Sequence, residues 1–252
     1  MDPEYALRYR DLYERHWWWR ARSDRIVEAL KALCPAGTRP AILDVGCGDG
    51  LFFETLARFG DVEGVEMDVA NVAPAGRWAS RIRVQPFDAS FRPGRRYGLV
   101  LLLDVLEHFA EPLPCLRRAV ELLEEGGAVL VTVPAFRAQW TTHDEINRHF
   151  TRYTLATLTE LARAAGARVE EARYFFHWTS PVKLAVRLKE AIVATPPASP
   201  RIPPPWLNEA LYRFSRLEQK TLGRLPLPFG SSLIAVLRSA PAAAPAQAFS
   251  RT

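Results

Sequence analysis

The sequence predicts an α/β fold: a mostly parallel, seven-stranded sheet with helices on both faces. Three observations carry this expectation. From Ala41 to about Glu171, β-branched apolar runs alternate with stretches of helical periodicity, the pattern of a parallel sheet built from crossover units. The first run, Ala41–Val45, enters a turn with glycines at 46, 48 and 50, and sheets of this kind bind ligands outside the carboxyl ends of their strands. Two further runs, Arg168–Phe176 and Ser232–Arg238, follow Gly166 and bring the strands to seven.

Ahead of the first strand, Tyr5–Leu33 shows helical periodicity through Leu12, His16 and Trp19, then Ile26, Leu30 and Leu33. Two helices breaking near Ser23 are expected, forming an N-terminal cover over residues 1–36. Trp17, Trp18 and Trp19 point around much of the helix circumference, so at least one meets something other than the core. The glycine turn leads into a helix over Leu51–Phe59, whose first amides point at a ligand. Val62–Asp68, Ile82–Phe87 and Tyr97–Leu103 read as strands two to four. Pro112–Leu123 reads as a helix stopped by Gly126 and Gly127, and Ala128–Val133 as a buried fifth strand ending at Pro134. Thr154–Ala165 is helical, closed by Gly166.

The last two strands are separated by roughly fifty residues, an insertion at about 178–228. Six prolines from Pro196 to Pro205 mark a stiff linker between helices at Pro181–Ala194 and Trp206–Leu222. In the second of these, Leu207, Leu211, Phe214 and Leu217 recur at helical spacing, with Arg213, Arg216 and Lys220 elsewhere on the surface. This is an amphipathic helix with a basic face, suited to packing as a lid or to resting on an anionic membrane. The alanine- and proline-rich tail, 240–252, is expected to be disordered.

At 252 residues the chain can bury one substantial core. Its three cysteines, Cys34, Cys47 and Cys115, form no C-x-x-C pair, so neither a zinc site nor a disulfide framework is expected. The start of the chain is charged and aromatic, unlike a signal peptide, and a cytoplasmic protein, peripheral at the inner membrane face if bound there, is the expectation. The net charge is +5, but Trp178–Thr252 holds ten Lys and Arg against three Asp and Glu. The basic character therefore belongs to the C-terminal part, where it suits an anionic substrate or surface.

The glycine turn identifies a class of ligand. Its spacing is G-x-G-x-G, with Leu51 where a dinucleotide fingerprint needs other spacing. Asp44 and Asp49 in and beside the turn would repel a pyrophosphate. Acids suit a ligand with a cationic amino-acid end and no phosphate, the make-up of S-adenosylmethionine. With this loop, with Glu66 ending the second strand, Asp88-Ala89 ending the third and Asp104-Val105-Leu106-Glu107-His108-Phe109 after the fourth, the sequence resembles the class I S-adenosylmethionine-dependent methyltransferases. The resemblance implies a Rossmann-like methyltransferase domain over residues 37–239 and a cofactor held by Asp44, Gly46, Cys47, Gly48, Gly50, Glu66, Met67, Asp88, Ala89, Asp104, Val105 and His108. In it Glu66 accepts hydrogen bonds from the ribose hydroxyls, and Asp88-Ala89 holds the adenine amino group.

The acceptor side is expected beyond strands four and five. Phe136–Tyr153 concentrates polar and aromatic groups there. His143 or His149 is a candidate base, since histidine titrates near neutral pH, with Asp144 to orient it. A second possibility is that Thr141, Thr142 and Asp144 cap a short helix while His149 and Arg152 tie the loop to the sheet. Trp140, Arg152 and Tyr153 are candidate substrate contacts, joined by Trp18 and Arg22 from the N-terminal cover. No metal is expected, because His143, Asp144 and His149 lack a ligand spacing that supports one. The expected reaction is O-methylation of a small molecule or a lipid- or sugar-linked intermediate. Carbon methylation, a non-catalytic cofactor-binding module and a nucleic-acid methyltransferase are alternatives. The third is disfavoured because no separate Lys/Arg-rich RNA-binding domain is visible, and Asp104-Val105-Leu106-Glu107 standing in place of an Asn/Asp-Pro-Pro-aromatic tetrapeptide argues against amino-group methylation of bases.

Overall fold

The structure is a computed structural model that describes residues 10–72, 76–193 and 200–240. The tail from Pro241, residues 1–9 of the expected N-terminal cover and part of the proline linker lie outside the described residues. Seven strands form one sheet in the order β3-β2-β1-β4-β5-β7-β6: β1 Ala41–Val45, β2 Asp61–Glu66, β3 Ile82–Val84, β4 Tyr97–Leu103, β5 Leu123–Pro134, β6 Ala167–Phe175 and β7 Ser232–Ser239. The first five are parallel, and β7 runs antiparallel between β5 and β6. The order reverses between β1 and β4, so a crevice opens at their carboxyl ends, where α/β sheets bind ligands.

The sheet is buried on both faces, as parallel sheets are. Leu43, Val45, Val100, Leu102, Val129 and Val131 point to one side, where Leu116 and Ala119 of α4 (Pro112–Glu121) and Leu158 and Ala162 of α6 (Leu155–Ala164) cover them. Ile42, Leu99, Leu101 and Leu130 point to the other, against Ala21, Ile26 and Leu30 of α1 (Trp17–Leu33) and Phe53 and Leu56 of α2 (Phe53–Leu56). Each such leucine or isoleucine contributes about 2 kcal/mol by leaving water. α6 starts where its sequence demands: Thr154 accepts from Thr157 N–H, and Gly166, at φ +81°, ends the turn.

Four expectations are corrected. The break in the N-terminal helices falls at His16, and Ser23 lies inside a continuous α1. The His16 imidazole accepts from Trp18 N–H at 3.1 Å, so an aromatic ring does the work of a polar cap; burial lowers its pKa to about 4 and keeps it an acceptor. The helix after the glycine turn is a single turn, because the chain must double back at Gly60, where a Cβ would lie 2.2 Å from the Pro40 carbonyl. β3 stops at Val84, and α3 (Val69–Val72) is equally short.

The fourth correction concerns the insertion, which is α7 (Thr179–Ile192) and α8 (Pro205–Lys220). Phe214 and Leu217 of the expected packing stripe are 52% and 58% exposed, while Asn208, Ser215, Glu218 and Gln219 are buried. The reason is the partner. α8 lies on α1, which offers hydrogen-bonding groups: Asn208 bridges Trp17 N–H and the Arg15 carbonyl, and Gln219 donates to the Ala21 carbonyl. Arg216 pairs with Asp24 and Glu28, and Arg20 with Glu209. Glu218 accepts from the backbone amides of His177 and Trp178. Aromatic contacts finish the joint, Trp17 against Trp178 at 5.3 Å and Trp18 stacked on Phe176 at 5.7 Å. Removing the bridge with Asn208→Ala leaves a buried amide and carbonyl unpaired; urea unfolding should read a loss of about 1–3 kcal/mol, with faster proteolytic cleavage in the insertion.

Candidate active site

At the crevice, β1 ends in the glycine turn. Gly46, Gly48 and Gly50 all hold positive φ, at +67°, +55° and +75°. A side chain at 46 would press on Val105 at 3.1 Å, whereas the Cβ position of Gly48 opens on free space. The turn is tied down by Glu66 at the end of β2: one carboxylate oxygen accepts from Gly48 N–H, the other from the amides of Met67 and Asp68, each at 3.0 Å. Met67 itself is largely exposed. Arg10 pairs with Asp49, so the N-terminal helix reaches over the loop. Asp88 and Ala89 lie exposed beyond β3, with Asp88 accepting from Ser90 N–H at 2.7 Å.

Three carboxyls crowd the β1 and β4 ends. Asp44 is buried, and burial pushes its pKa up to about 7, with Arg22 opposing and Glu66 adding to the rise. Glu107 is 1% exposed; burial, and then Asp104, hold its carboxyl well above the ordinary range. Asp104 sits at φ +58°, its carboxylate paired with Arg22 Nε at 2.8 Å and accepting from Thr132 Oγ1 at 3.0 Å. Arg22 also donates to Thr132 Oγ1. It is thus a buried clamp between α1 and two strand ends, and Trp18 lies in the aromatic joint; neither is an open arm toward a substrate. The Cys47 thiol, half-buried beside Asp44 and Glu66, is held protonated by burial and by those acids.

The segment after β5 is organised by Asp144 on α5 (Thr142–Ile146), which is fully buried. Arg152 grips both its oxygens at 2.8 and 2.9 Å, Thr141 N–H donates to one, and His149 Nδ1 lies 2.9 Å from the other. Burial works against the charge, but the His149 and Arg152 hydrogen bonds hold this carboxyl below the usual range. Asp144 therefore both caps α5 and orients a histidine. That histidine is His149; His143 faces Asn147 Nδ2 at 3.2 Å, and burial lowers its pKa to about 3. With Nδ1 engaged, His149 has Nε2 left for a second partner. His108 meets it edge to face at 4.8 Å, its own pKa brought down to about 4 by burial and by His149. Phe150 N–H donates to the Glu107 carbonyl at 2.7 Å, which fastens this segment to the turn after β4.

Tyr153 belongs to the core: its hydroxyl donates to the Leu106 carbonyl and its ring is 4% exposed. Trp140 lies under Arg137 at 3.7 Å. Sequence reasoning missed Lys183 on α7, whose pKa burial lowers to about 8, with Arg152 adding to the fall and Asp144 and Asp104 opposing it. It also missed Glu190, which accepts from Thr142 N–H and Oγ1. Both stand in the insertion, far along the chain from the groups they meet. Among the described residues, Glu107, His108 and His149 form the group able to hold a metal ion, with ligand atoms within 4.8 Å of one another.

Strand order, glycine turn and strand-end acids together define a class I S-adenosylmethionine-dependent methyltransferase. The chain belongs to the methyltransferase-domain family, whose profile matches residues 18–172. It is 35% identical over 130 residues to the ubiquinone biosynthesis O-methyltransferase of Azorhizobium caulinodans, a match covering 49% of this chain and 47% of that one. The chain thus spans about half the length of that curated relative. Among solved structures it resembles the cyclase SpnF, with a TM-score of 0.54 at 19% identity over 86% of this chain and 80% of that one. The CcbJ methyltransferase of Streptomyces caelestis gives 0.50 at 19% identity, over 87% and 89%. At these identities the structural likeness is one of fold.

The site fits the cofactor in kind: free space over Gly48, and acids suited to an ammonium and to ribose hydroxyls. Raised to about 7 by burial, Asp44 costs the folded state most once it is ionised. Its folded pKa lies above the unfolded value, so the stability tied to its proton is lost as pH rises toward 7. Asp44→Asn should therefore raise the melting temperature more at pH 8 than at pH 5, a difference on the order of 2–3 kcal/mol, while abolishing S-adenosylhomocysteine binding.

Proposed function

We propose that this chain transfers a methyl group from S-adenosylmethionine to a hydroxyl of a small molecule or a lipid- or sugar-linked intermediate. The observation that carries the reading is the Asp144–His149 pair beside the β4 turn, 2.9 Å apart and locked by Arg152. S-adenosylmethionine supplies a methyl already activated by a positive sulfur, so the protein must mainly hold the acceptor in line and take its proton. In this reading Asp44, Glu66 and the glycine turn bind the cofactor, and Asp88-Ala89 borders its adenine. His149 Nε2 accepts the proton, while Asp144 holds the ring by Nδ1 and stabilises the imidazolium. His143, set against Asn147, serves the wall of the site with Trp140. The likeness to an O-methyltransferase supports oxygen over carbon as acceptor atom. The basic insertion is the part of the chain we assign to an anionic membrane surface; no helix among the described residues is long and apolar enough to cross one.

A second reading is favoured by Glu107 Oε2, which is buried with no hydrogen-bond partner. A divalent cation held by Glu107, His108 and His149 would acidify the acceptor hydroxyl in place of a free base. Dialysis against EDTA separates the two: turnover lost and restored by Mn²⁺ supports the cation, and unchanged turnover supports His149 as base.

Calorimetric titration with S-adenosylhomocysteine, with NAD as control, tests the cofactor: micromolar binding of the former alone is expected. Glu66→Ala should weaken it by about 1–3 kcal/mol through lost hydrogen bonds to a charged group. His149→Ala should keep the affinity and lower turnover by 10²-fold or more, on the order expected for losing a general base. Cofactor binding without turnover on any hydroxylated acceptor would instead favour a non-catalytic module.

A further inference from the structure

The two helices of the insertion are inside out. A helix packed on a globule turns its apolar stripe inward, but α7 turns in Lys183 and Glu190, and Arg187 donates to the carbonyls of Arg137 and Trp140. Its aliphatic residues face out: Val182 is 49% exposed, Leu188 63% and Ile192 75%. With Leu184 and Val186 they cover roughly 200° of arc at 100° per residue, interrupted by Lys189. α8 repeats the arrangement, with a polar face buried on α1 and Trp206 73% exposed beside Phe214 and Leu217.

Charge identifies the occupant. Each acid on these helices is already engaged: Glu190 by Thr142, Glu209 by Arg20 and Arg213, Glu218 by His177 and Trp178. Lys189, Lys220 and Arg224 are exposed and form no ion pair among the described residues. Two copies of the chain meeting through these faces would bring cations together with no acid to match them. A bilayer bearing anionic lipids matches both properties at once, since interfacial helices bury aliphatic and aromatic side chains between headgroups while lysine and arginine meet lipid phosphates.

We infer that α7 and α8 seat this protein on an anionic phospholipid surface. α7 separates that surface from the Phe136–Tyr153 segment by one helix diameter, about 10 Å. Resting on the methyltransferase reading for what it serves, the seat delivers an amphiphilic acceptor whose tail stays in the membrane and whose hydroxylated head reaches His149.

The test is co-sedimentation of the full chain with phosphatidylcholine vesicles made with and without phosphatidylglycerol, alongside the double variants L188E/I192E and F214E/L217E. These positions are exposed, so folding is retained, and S-adenosylhomocysteine titration of each preparation verifies it. The expected result is pelleting with phosphatidylglycerol vesicles, weakened by salt and reduced about tenfold or more in each double variant. Absence of pelleting, equal pelleting of variants and wild type, or a dimer in light scattering that the variants dissolve would overturn the seat. Loss of S-adenosylhomocysteine binding in the wild type would count against the methyltransferase reading alone.

Discussion

One buried cation holds this molecule's working end together. Asp44, Asp104 and Glu107 gather where the strand order reverses, and Arg22 is placed among them, paired with Asp104 and pulling on the other two. A carboxylate excess in a low-dielectric crevice is costly unless opposed. Arg22 opposes part of it, and in doing so pins α1 across the sheet; α1 in turn carries α8, and with it the insertion. Asp104 is answered by Arg22, and burial favours the protonated form of Asp44 and Glu107, so the crevice holds acids from which a ligand carrying an ammonium and a sulfonium would draw the proton. The charge balance of the crevice and the position of the N-terminal cover therefore share one origin in Arg22.

The second organising group is Asp144. A single carboxylate caps α5, pairs with Arg152 and holds the ring of His149, so the helix cap and the histidine's orienting group, which the sequence offers as alternatives, are the same atoms. Such double use leaves little freedom: the His149 ring is held by a carboxylate that is itself fixed by Arg152 and by the turn it caps. The neighbouring imidazoles, His108 and His143, are both kept neutral by burial, which removes positive charge from the surroundings of His149.

Most of the sheet was legible because it rests on local pattern. β4 and the glycine turn fall where apolar runs and glycine spacing place them, and the acids at strand ends follow from the resemblance those residues carry. The errors have a common cause in tertiary partners. Helical periodicity locates α8 but says nothing of what it lies on, and α1 presents acids and backbone carbonyls, so the polar face went inward. His16 was invisible as a cap because an imidazole seldom serves as one. Lys183 and Glu190 had no local signal at all, since their meaning depends on groups about thirty to eighty residues earlier. The likeness to SpnF, named as a cyclase, shows that this fold leaves the chemistry open to the side chains it carries.

The contact between Glu190 and Thr142 has a mechanical consequence. α5 is five residues long, too short to persist without external hydrogen bonds, and one of its end groups is satisfied from α7. A shift of α7 therefore loosens the turn that contains Asp144, and with it the ring that Asp144 aims. The insertion and the His149 ring are thereby coupled through one hydrogen-bonded turn, so the position of α7 bears directly on where that ring is aimed.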